Sequence, residues 1–182
     1  MRQIAILGLA DSTRNKAPYK DSSWELWGLP WDEEIKFYLD RAFEMHPLDF
    51  SNSLNRHNRS EASLREVDIP LYMQESYSEI PNSIAYPLDD VIEITGDYFN
   101  SSIAYMLGLA ILEKVDRIGI WGVDMDGDGE FGYQRPNTEY FIGFARGMGI
   151  DVFVPKESSL LTFGSEGGGV HTKNWNGRYG YF

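Results

Sequence analysis

The sequence predicts an α/β protein built on a mostly parallel sheet with helices on both faces. Three observations in residues 100–155 lead to this class. The run RIGIWGVD has the few charges typical of a strand buried on both faces. A second helix, EYFIGFARGMG, leads into another apolar run, DVFVP. Before both, apolar residues recur at helical spacing after two serines placed as N-caps, Ser101 and Ser102: Ile103, Met106, Leu107, Ala110 and Ile111.

A strand, a helix and a second strand in this order form a crossover unit, which is normally right-handed. Asn137 and Thr138 can cap its helix, and Gly149 can end it. We therefore expect a single doubly wound, Rossmann-like domain over residues 1–163, followed by a Gly-rich aromatic tail over residues 164–182.

The other elements follow from pattern and composition. Prolines restrain residues 79–88 to extended backbone, and DDVIEI at 89–94 is a short helix or a strand. Four strands are expected before them: QIAILGL (3–9, central), WELWGL (24–29), AFEMHP (42–47) and IPLYMQES (69–76). SEASLREV (60–67) is expected to be a helix, and DEEIKFYLDR (32–41) a short acidic helix or a turn.

The totals exclude several classes of function. The chain has 182 residues, a formal net charge of −12 and no cysteine. So acidic a protein is unsuited to nonspecific nucleic-acid binding or to an anionic membrane surface. Without cysteine, disulfides and thiolate zinc sites are impossible. The first residues do not resemble a signal peptide, and no run reaches the roughly 18 apolar residues of a membrane span. We expect a cytoplasmic protein without membrane contact.

The loop after the first strand carries polar groups where ligands bind. In an open α/β sheet this loop lies at the carboxyl edge. Gly8, Asp11 and Ser12 are therefore candidates for nucleotide contact, and Arg14 and Lys16 supply positive charge. The loop has neither the Walker motif nor the dinucleotide fingerprint. The alternative is an ordinary polar loop.

The acidic run DMDGDGE follows the strand at 117–124. Asp124, Asp126 and Asp128 have the spacing that begins an EF-hand calcium loop, but the twelfth position is Arg135, which cannot bind a cation. A weaker site for a divalent cation (Mg, Mn or Ca) is one hypothesis, and a tight acidic turn is the other. Asp124 itself ends a central strand, where side chains face a ligand.

Three further features give weaker indications. His46 ends a predicted strand and is a candidate acid or base, although a lone histidine is more often structural. The basic run 55–59 could recruit an anion or simply be solvated. The aromatic tail could be disordered, dock on its own domain or form a homo-oligomer.

Four segments resemble the second half of bacterial lipo-oligosaccharide sialyltransferases and, more broadly, related proteins such as archaeal pterin pyrophosphokinases. They are SSIAYMLGLAI, IGIWGVDM, the following Tyr133 and IDVFVPKESSLL, which together span about residues 98–163. The chain also resembles small bacteriophage proteins with WGL, GVDM and YGY segments. The sialyltransferase resemblance implies a nucleotide site made of Ser101, Ser102, Trp121, Gly122, Asp124 and Tyr133.

This chain also departs from the sialyltransferase pattern. The phosphate loop of the sialyltransferases is Gly-Asn-Gly-Pro-Ser, whereas this chain has GLADS. Their lid carries a catalytic histidine, but the corresponding interval here, QRPNTE, has none. The resemblance therefore implies the fold and a nucleotide site, and it does not imply sialyl transfer.

Two functions remain open from the sequence. The first is a transferase that uses an activated nucleotide, such as a nucleotide-sugar or a nucleotide diphosphate. Tyr133, Gln134 and Arg135 would then stabilise the leaving phosphate. His46 and Glu139 are the candidates for proton transfer. The second is a non-catalytic protein that binds or sequesters a nucleotide-derived ligand or a host protein.

Overall fold

The computed structural model describes residues 1–32, 34–48, 61–127 and 129–162. The basic run 55–59, Asp128 and the tail 164–182 lie outside these residues. The described part forms one seven-stranded sheet in the order β5-β4-β3-β2-β1-β6-β7. Its strands are β1 (Gln3–Leu7), β2 (Trp24–Gly28), β3 (Arg41–Glu44), β4 (Leu71–Met73), β5 (Ser83–Ala85), β6 (Arg117–Trp121) and β7 (Asp151–Phe153).

Every pairing in this sheet is parallel, which confirms the predicted α/β class. The two central strands have the apolar composition of strands covered on both sides. Along β1, Ile4 and Ile6 join the core on one face, whereas Ala5 and Leu7 join the core on the other. Alternation of side chains along a strand therefore divides a single apolar run between two cores.

The two faces of the sheet are covered differently. Helices α2 (Leu88–Thr95), α3 (Ser102–Leu112) and α4 (Glu130–Gly147) pack side by side on one face. Helix α1 (Glu61–Arg65) contributes Leu64 to the core on the other face. Ile35 and Leu39, which flank a 3₁₀ turn at Lys36–Tyr38, complete that core.

Helix α4 corrects the prediction for residues 130–138. It begins at Glu130 and includes Pro136, so residues expected in a loop belong to the helix. Asn137 and Thr138 are fully buried within it and do not cap it. Instead, the Asn137 side chain accepts a hydrogen bond from the backbone N–H of Asn100 (3.2 Å) and donates one to the carbonyl of Tyr98. These polar side chains therefore fix the start of α3 against α4.

Smaller differences concern the ends of elements. DDVIEI belongs to helix α2, and the extended stretch before it contains β5, which pairs with β4. Strand β3 ends at Glu44, two residues before His46. No helix in the described part is both long and apolar enough to cross a membrane.

The strand order places a topological switch point between β1 and β6. The chain runs outward from β1 through β2 to β5 on one side, and through β6 to β7 on the other. The chain segments that follow β1 and β6 therefore lead toward opposite ends of the sheet, and a crevice forms at the carboxyl edge beside this point. Ligands of open α/β sheets bind in such crevices.

Candidate functional site

The loops after β1 and β6 cross in direct backbone contact. Gly8 donates from its N–H to the carbonyl of Trp121 (2.8 Å), and Ala10 donates to that of Gly122 (2.8 Å). A Cβ added to Gly8 would lie 2.3 Å from the carbonyl oxygen of Gly122, and one added to Gly122 would lie 2.5 Å from that of Gly8. Gly122 also has a φ of +68°, which favours glycine. Both glycines are therefore required for this crossing.

Side chains reinforce the same crossing. Thr13 is fully buried, and its hydroxyl accepts a hydrogen bond from the N–H of Gly122 (2.7 Å). Ser12 donates to Oδ1 of Asp124 (2.8 Å). The loop after β1 thus orients the carboxylate that ends the β6 segment.

A cavity of about 460 Å³ opens at this crossing. That volume lies within the range of small-molecule sites. Its walls come from the ends of β1, β2, β3 and β6 and from the starts of α3 and α4. The lining residues are Gly8, Leu9, Ala10, Leu29, Met45, His46, Phe99, Asn100, Ser101, Ser102, Ile103, Tyr105, Gly122, Val123, Asp124, Met125, Glu130, Phe131 and Gln134.

Seven residues singled out from the sequence meet at this cavity: Gly8, His46, Ser101, Ser102, Gly122, Asp124 and Gln134. The hydroxyl of Ser101 accepts a hydrogen bond from the N–H of Ala104 (3.1 Å), so Ser101 is the N-cap of α3. Ser102, the first residue of the helix, is less buried than Ser101. The positive end of the α3 dipole therefore faces the cavity.

The predicted cations of the first loop are paired away from the cavity. Arg14 binds the carboxylates of Asp11, Asp32 and Glu34. Lys16 pairs with Glu157 at 2.9 Å. Asp11 lies beside Arg14 and is not among the residues that line the cavity. Ser12 is connected to the cavity wall through its hydrogen bond to Asp124.

Trp121 and Tyr133 also lie apart from the cavity lining. The side chain of Trp121 is buried in the opposite core, where its ring meets Trp24 edge-on at 5.4 Å. Tyr133 is an exposed residue of α4. Its carbonyl accepts a hydrogen bond from the side chain of Asn100 (2.9 Å), so its backbone supports the cavity wall.

Arg135 and Glu139 hold the segment after β7. The guanidinium of Arg135 donates to the carbonyls of Ser159 and Thr162, the latter at 2.6 Å. It also donates to Glu139 at 3.0 Å. Glu139 in turn accepts from the N–H of Leu161 at 2.8 Å. Both side chains are therefore engaged in anchoring residues 159–162.

Two of the three candidate cation ligands of the acidic loop, Asp124 and Asp126, lie within the described residues. No group of three metal-binding side chains occurs within those ranges. Asp124 is bonded to Ser12, and Asp126 is paired with Arg135 at 3.2 Å. Asp128, the third candidate, lies outside the described residues.

Sequence reasoning missed several residues of the cavity. Phe99, Asn100 and Phe131 flank the predicted serines and the acidic loop, so their positions beside those motifs were the available signal. The side-chain oxygen of Asn100 is buried and has no hydrogen-bond partner within the described residues.

Burial raises the pKa of the Tyr105 hydroxyl, with a further contribution from the nearby charge of Asp97. Tyr105 therefore remains a hydrogen-bond donor over the physiological pH range.

Charge distinguishes this cavity from a polyphosphate site. Its described lining includes two carboxylates, Asp124 and Glu130, and one imidazole, His46, but neither lysine nor arginine. Oxygen acceptors and the amino end of α3 are therefore its main polar features.

Comparison of the chain with models of known protein families, with curated proteins and with solved structures gives no match.

Proposed function

We propose that this protein binds a nucleotide-derived small molecule in the cavity beside the β1 and β6 loops. The observation that carries the proposal is the cavity itself, about 460 Å³ at the switch point of a parallel sheet. This is the position at which open α/β proteins bind nucleotides and related ligands. The amino end of an eleven-residue helix, α3, borders it as well.

The lining suits the separate parts of such a ligand. The Asp124 carboxylate, oriented by Ser12, is an acceptor for ribose hydroxyls. Phe99 and Phe131 offer apolar surface to a base. The N–H groups at the start of α3 can donate to one phosphate or to another oxyanion.

The same lining favours a ligand with little negative charge. A polyphosphate would bring several charges close to Asp124 and Glu130 without a lysine or arginine from the described wall to offset them. We therefore expect a nucleoside, a nucleoside monophosphate or a nucleotide-sugar to bind more tightly than the triphosphate of the same base.

Thermal shift with a panel of nucleosides, nucleotides and nucleotide-sugars tests the proposal. A ligand at 100 times its dissociation constant adds about 2.7 kcal/mol. For a chain of this length that raises the melting temperature by roughly 5 to 10 °C. The absence of a shift across the panel would overturn the proposed function.

A pair of variants locates the site. Asp124→Asn should reduce the shift, because an amide is a weaker acceptor for ribose hydroxyls than a carboxylate. Asp151→Asn makes the same chemical change at an exposed position at the start of β7, at the opposite edge of the sheet, and should leave the shift unchanged. Equal shifts in both variants would move the ligand away from Asp124.

Two functions fit a ligand held in this way. The protein could act only as a binding module, or it could be a transferase that uses the nucleotide as an activated donor. A histidine in the cavity wall favours the second function.

A further inference from the structure

A buried carboxylate lies behind the histidine of the cavity wall. Glu44 ends β3 and is 2% exposed. Its Oε2 accepts a hydrogen bond from the indole N–H of Trp31 at 2.5 Å. Its Oε1 accepts from the backbone N–H of His46 at 2.9 Å and lies 2.5 Å from Nδ1 of the same residue. Two N–H donors and the ring nitrogen Nδ1 of His46 therefore contact this carboxylate.

His46 connects this carboxylate to the cavity. Its side chain is 52% exposed and contributes to the cavity lining beside Met45. A carboxylate at Nδ1 holds the proton on that nitrogen and makes Nε2 the basic atom of the ring. The carboxylate also stabilises the imidazolium that forms when Nε2 takes a proton.

The burial of Glu44 indicates that its carboxylate has a role other than keeping the protein surface hydrated. An ionised carboxylate without water is costly unless hydrogen bonds satisfy it. Glu44 has such bonds, but an apolar residue at the end of β3 would fill this part of the core without needing them. The arrangement instead gives an exposed imidazole a fixed orientation at the edge where ligands bind.

We propose that His46 is a proton-transfer residue for the molecule bound in the cavity and that Glu44 is its positioning residue. The proposal rests on the proposed ligand site and assigns the protein to the transferases or hydrolases. The donor would be a nucleotide-derived compound, and the acceptor would be water or an alcohol.

The step conserves atoms and charge as follows. His46 Nε2 takes the proton from the acceptor hydroxyl while the acceptor oxygen bonds to the electrophilic carbon or phosphorus of the donor. The bond from that atom to the leaving group breaks, and the leaving group keeps the electron pair. The proton then passes from the imidazolium to the leaving group or to solvent.

The experiment combines binding with turnover. The full chain is incubated with nucleosides, nucleoside monophosphates and CMP-, UDP- and GDP-linked sugars, and products are separated by chromatography. We expect turnover of a compound that also raises the melting temperature. His46→Asn should lower kcat by a factor on the order of 10² to 10⁴. Its KM and thermal shift should change little.

Three further variants distinguish chemistry from folding. Added imidazole should restore part of the rate to His46→Ala, because the exposed position admits it. Glu44→Gln should lower kcat by about tenfold or more without raising KM, since Gln can orient the ring but cannot stabilise the imidazolium. Glu25→Gln, a change to a partly buried carboxylate far from the cavity, should keep its kcat.

Each outcome decides a specific claim. Turnover that falls in the His46 variants while binding persists supports the proposal. A wild-type protein that binds a compound but converts none, or a His46→Asn variant with undiminished kcat, overturns proton transfer and leaves the binding function standing. If no compound binds, both proposals fail.

Discussion

Gly122 allows the two ligand-facing loops to cross at backbone distance. We expect Gly122→Ala to lower the free energy of unfolding by about 2 to 4 kcal/mol, from the strain of a positive φ and from overpacking. The new Cβ would lie 2.5 Å from the Gly8 carbonyl oxygen, and that backbone atom cannot rotate away. Urea unfolding measures the change.

Gly143 in α4 is the matched control. Among the described residues, no heavy atom outside the adjacent backbone of its own helix lies within 4 Å of an added Cβ. Gly143→Ala should therefore stabilise the protein by about 0.5 to 1 kcal/mol, as alanine does within a helix. Destabilisation by both variants to the same extent would show that the loop crossing is not special.

At the residue scale, the sequence predicts where a residue lies in the fold more readily than which side chains it contacts. Gly8, Ser102 and Asp124 follow or begin regular elements, so their place at the carboxyl edge could be inferred from pattern alone. The partners of Arg14 could not be inferred, because Asp32 and Glu34 approach it only after the chain folds. Glu44 was missed for a related reason, since an acidic residue within a short strand gives no sign of being buried.

Helix α4 presents different residues to different parts of the structure. Gln134 lines the cavity, whereas its neighbour Arg135 is 18% exposed and binds the carbonyls of the segment after β7. Neighbouring residues on a helix point about 100° apart, and this offset directs Gln134 and Arg135 to different parts of the structure.

Arg135→Ala should therefore loosen residues 159–162 and leave ligand affinity unchanged. Loss of hydrogen bonds from a charged donor should cost about 1 to 3 kcal/mol. Amide hydrogen exchange of this segment measures the effect. Arg135→Lys should not restore protection, because one ammonium group cannot replace the several donors of a guanidinium.

We expect the opposite pair of effects for Gln134→Ala, because Gln134 lines the cavity. It should weaken ligand binding without changing exchange in residues 159–162. Weaker binding in Arg135→Ala with normal exchange would instead support the phosphate contact predicted for Arg135 from the sequence.

At the scale of elements, long apolar patterns gave reliable predictions and polar stretches did not. Helix α3 and strands β1 and β6 agree with their apolar runs. The start of α4 was placed too late because Pro136 and Asn137 are typical of helix ends. Tertiary contacts override that preference, since Asn137 bonds to the chain before α3.

Across the whole molecule, the amino edge of the sheet contains a network of charges opposite the cavity. Arg2 lies 2.9 Å from Glu25 and 2.6 Å from Glu113. Arg41 lies 2.6 Å from Glu25 and 2.7 Å from Glu113. The four side chains connect the starts of β1, β2 and β3 with the end of α3, so the network joins the centre of the sheet to its covering helix.

This network should make stability depend on pH at the acidic end. Burial raises the pKa of the Glu25 carboxyl, but its polar contacts with Trp27 and Arg2 and the charges of Arg41 and Arg2 outweigh burial and place the pKa below its ordinary value. A lowered pKa in the folded state contributes stability that is complete above the unfolded pKa, about 4.3. That contribution is lost as the pH falls through the lower, folded value.

Glu25→Gln tests the assignment. At pH 7 it should lower the free energy of unfolding by about 1 to 3 kcal/mol, because Glu25 is only 24% exposed and its loss leaves two arginines short of a partner. The difference from wild type should shrink as the pH falls below about 4, where the native carboxyl also becomes neutral. Glu93→Gln, on the exposed side of α2, should track wild type at every pH. A difference for Glu25→Gln that stays constant down to pH 2 would mean that its effect is packing and that the charge network contributes nothing to stability.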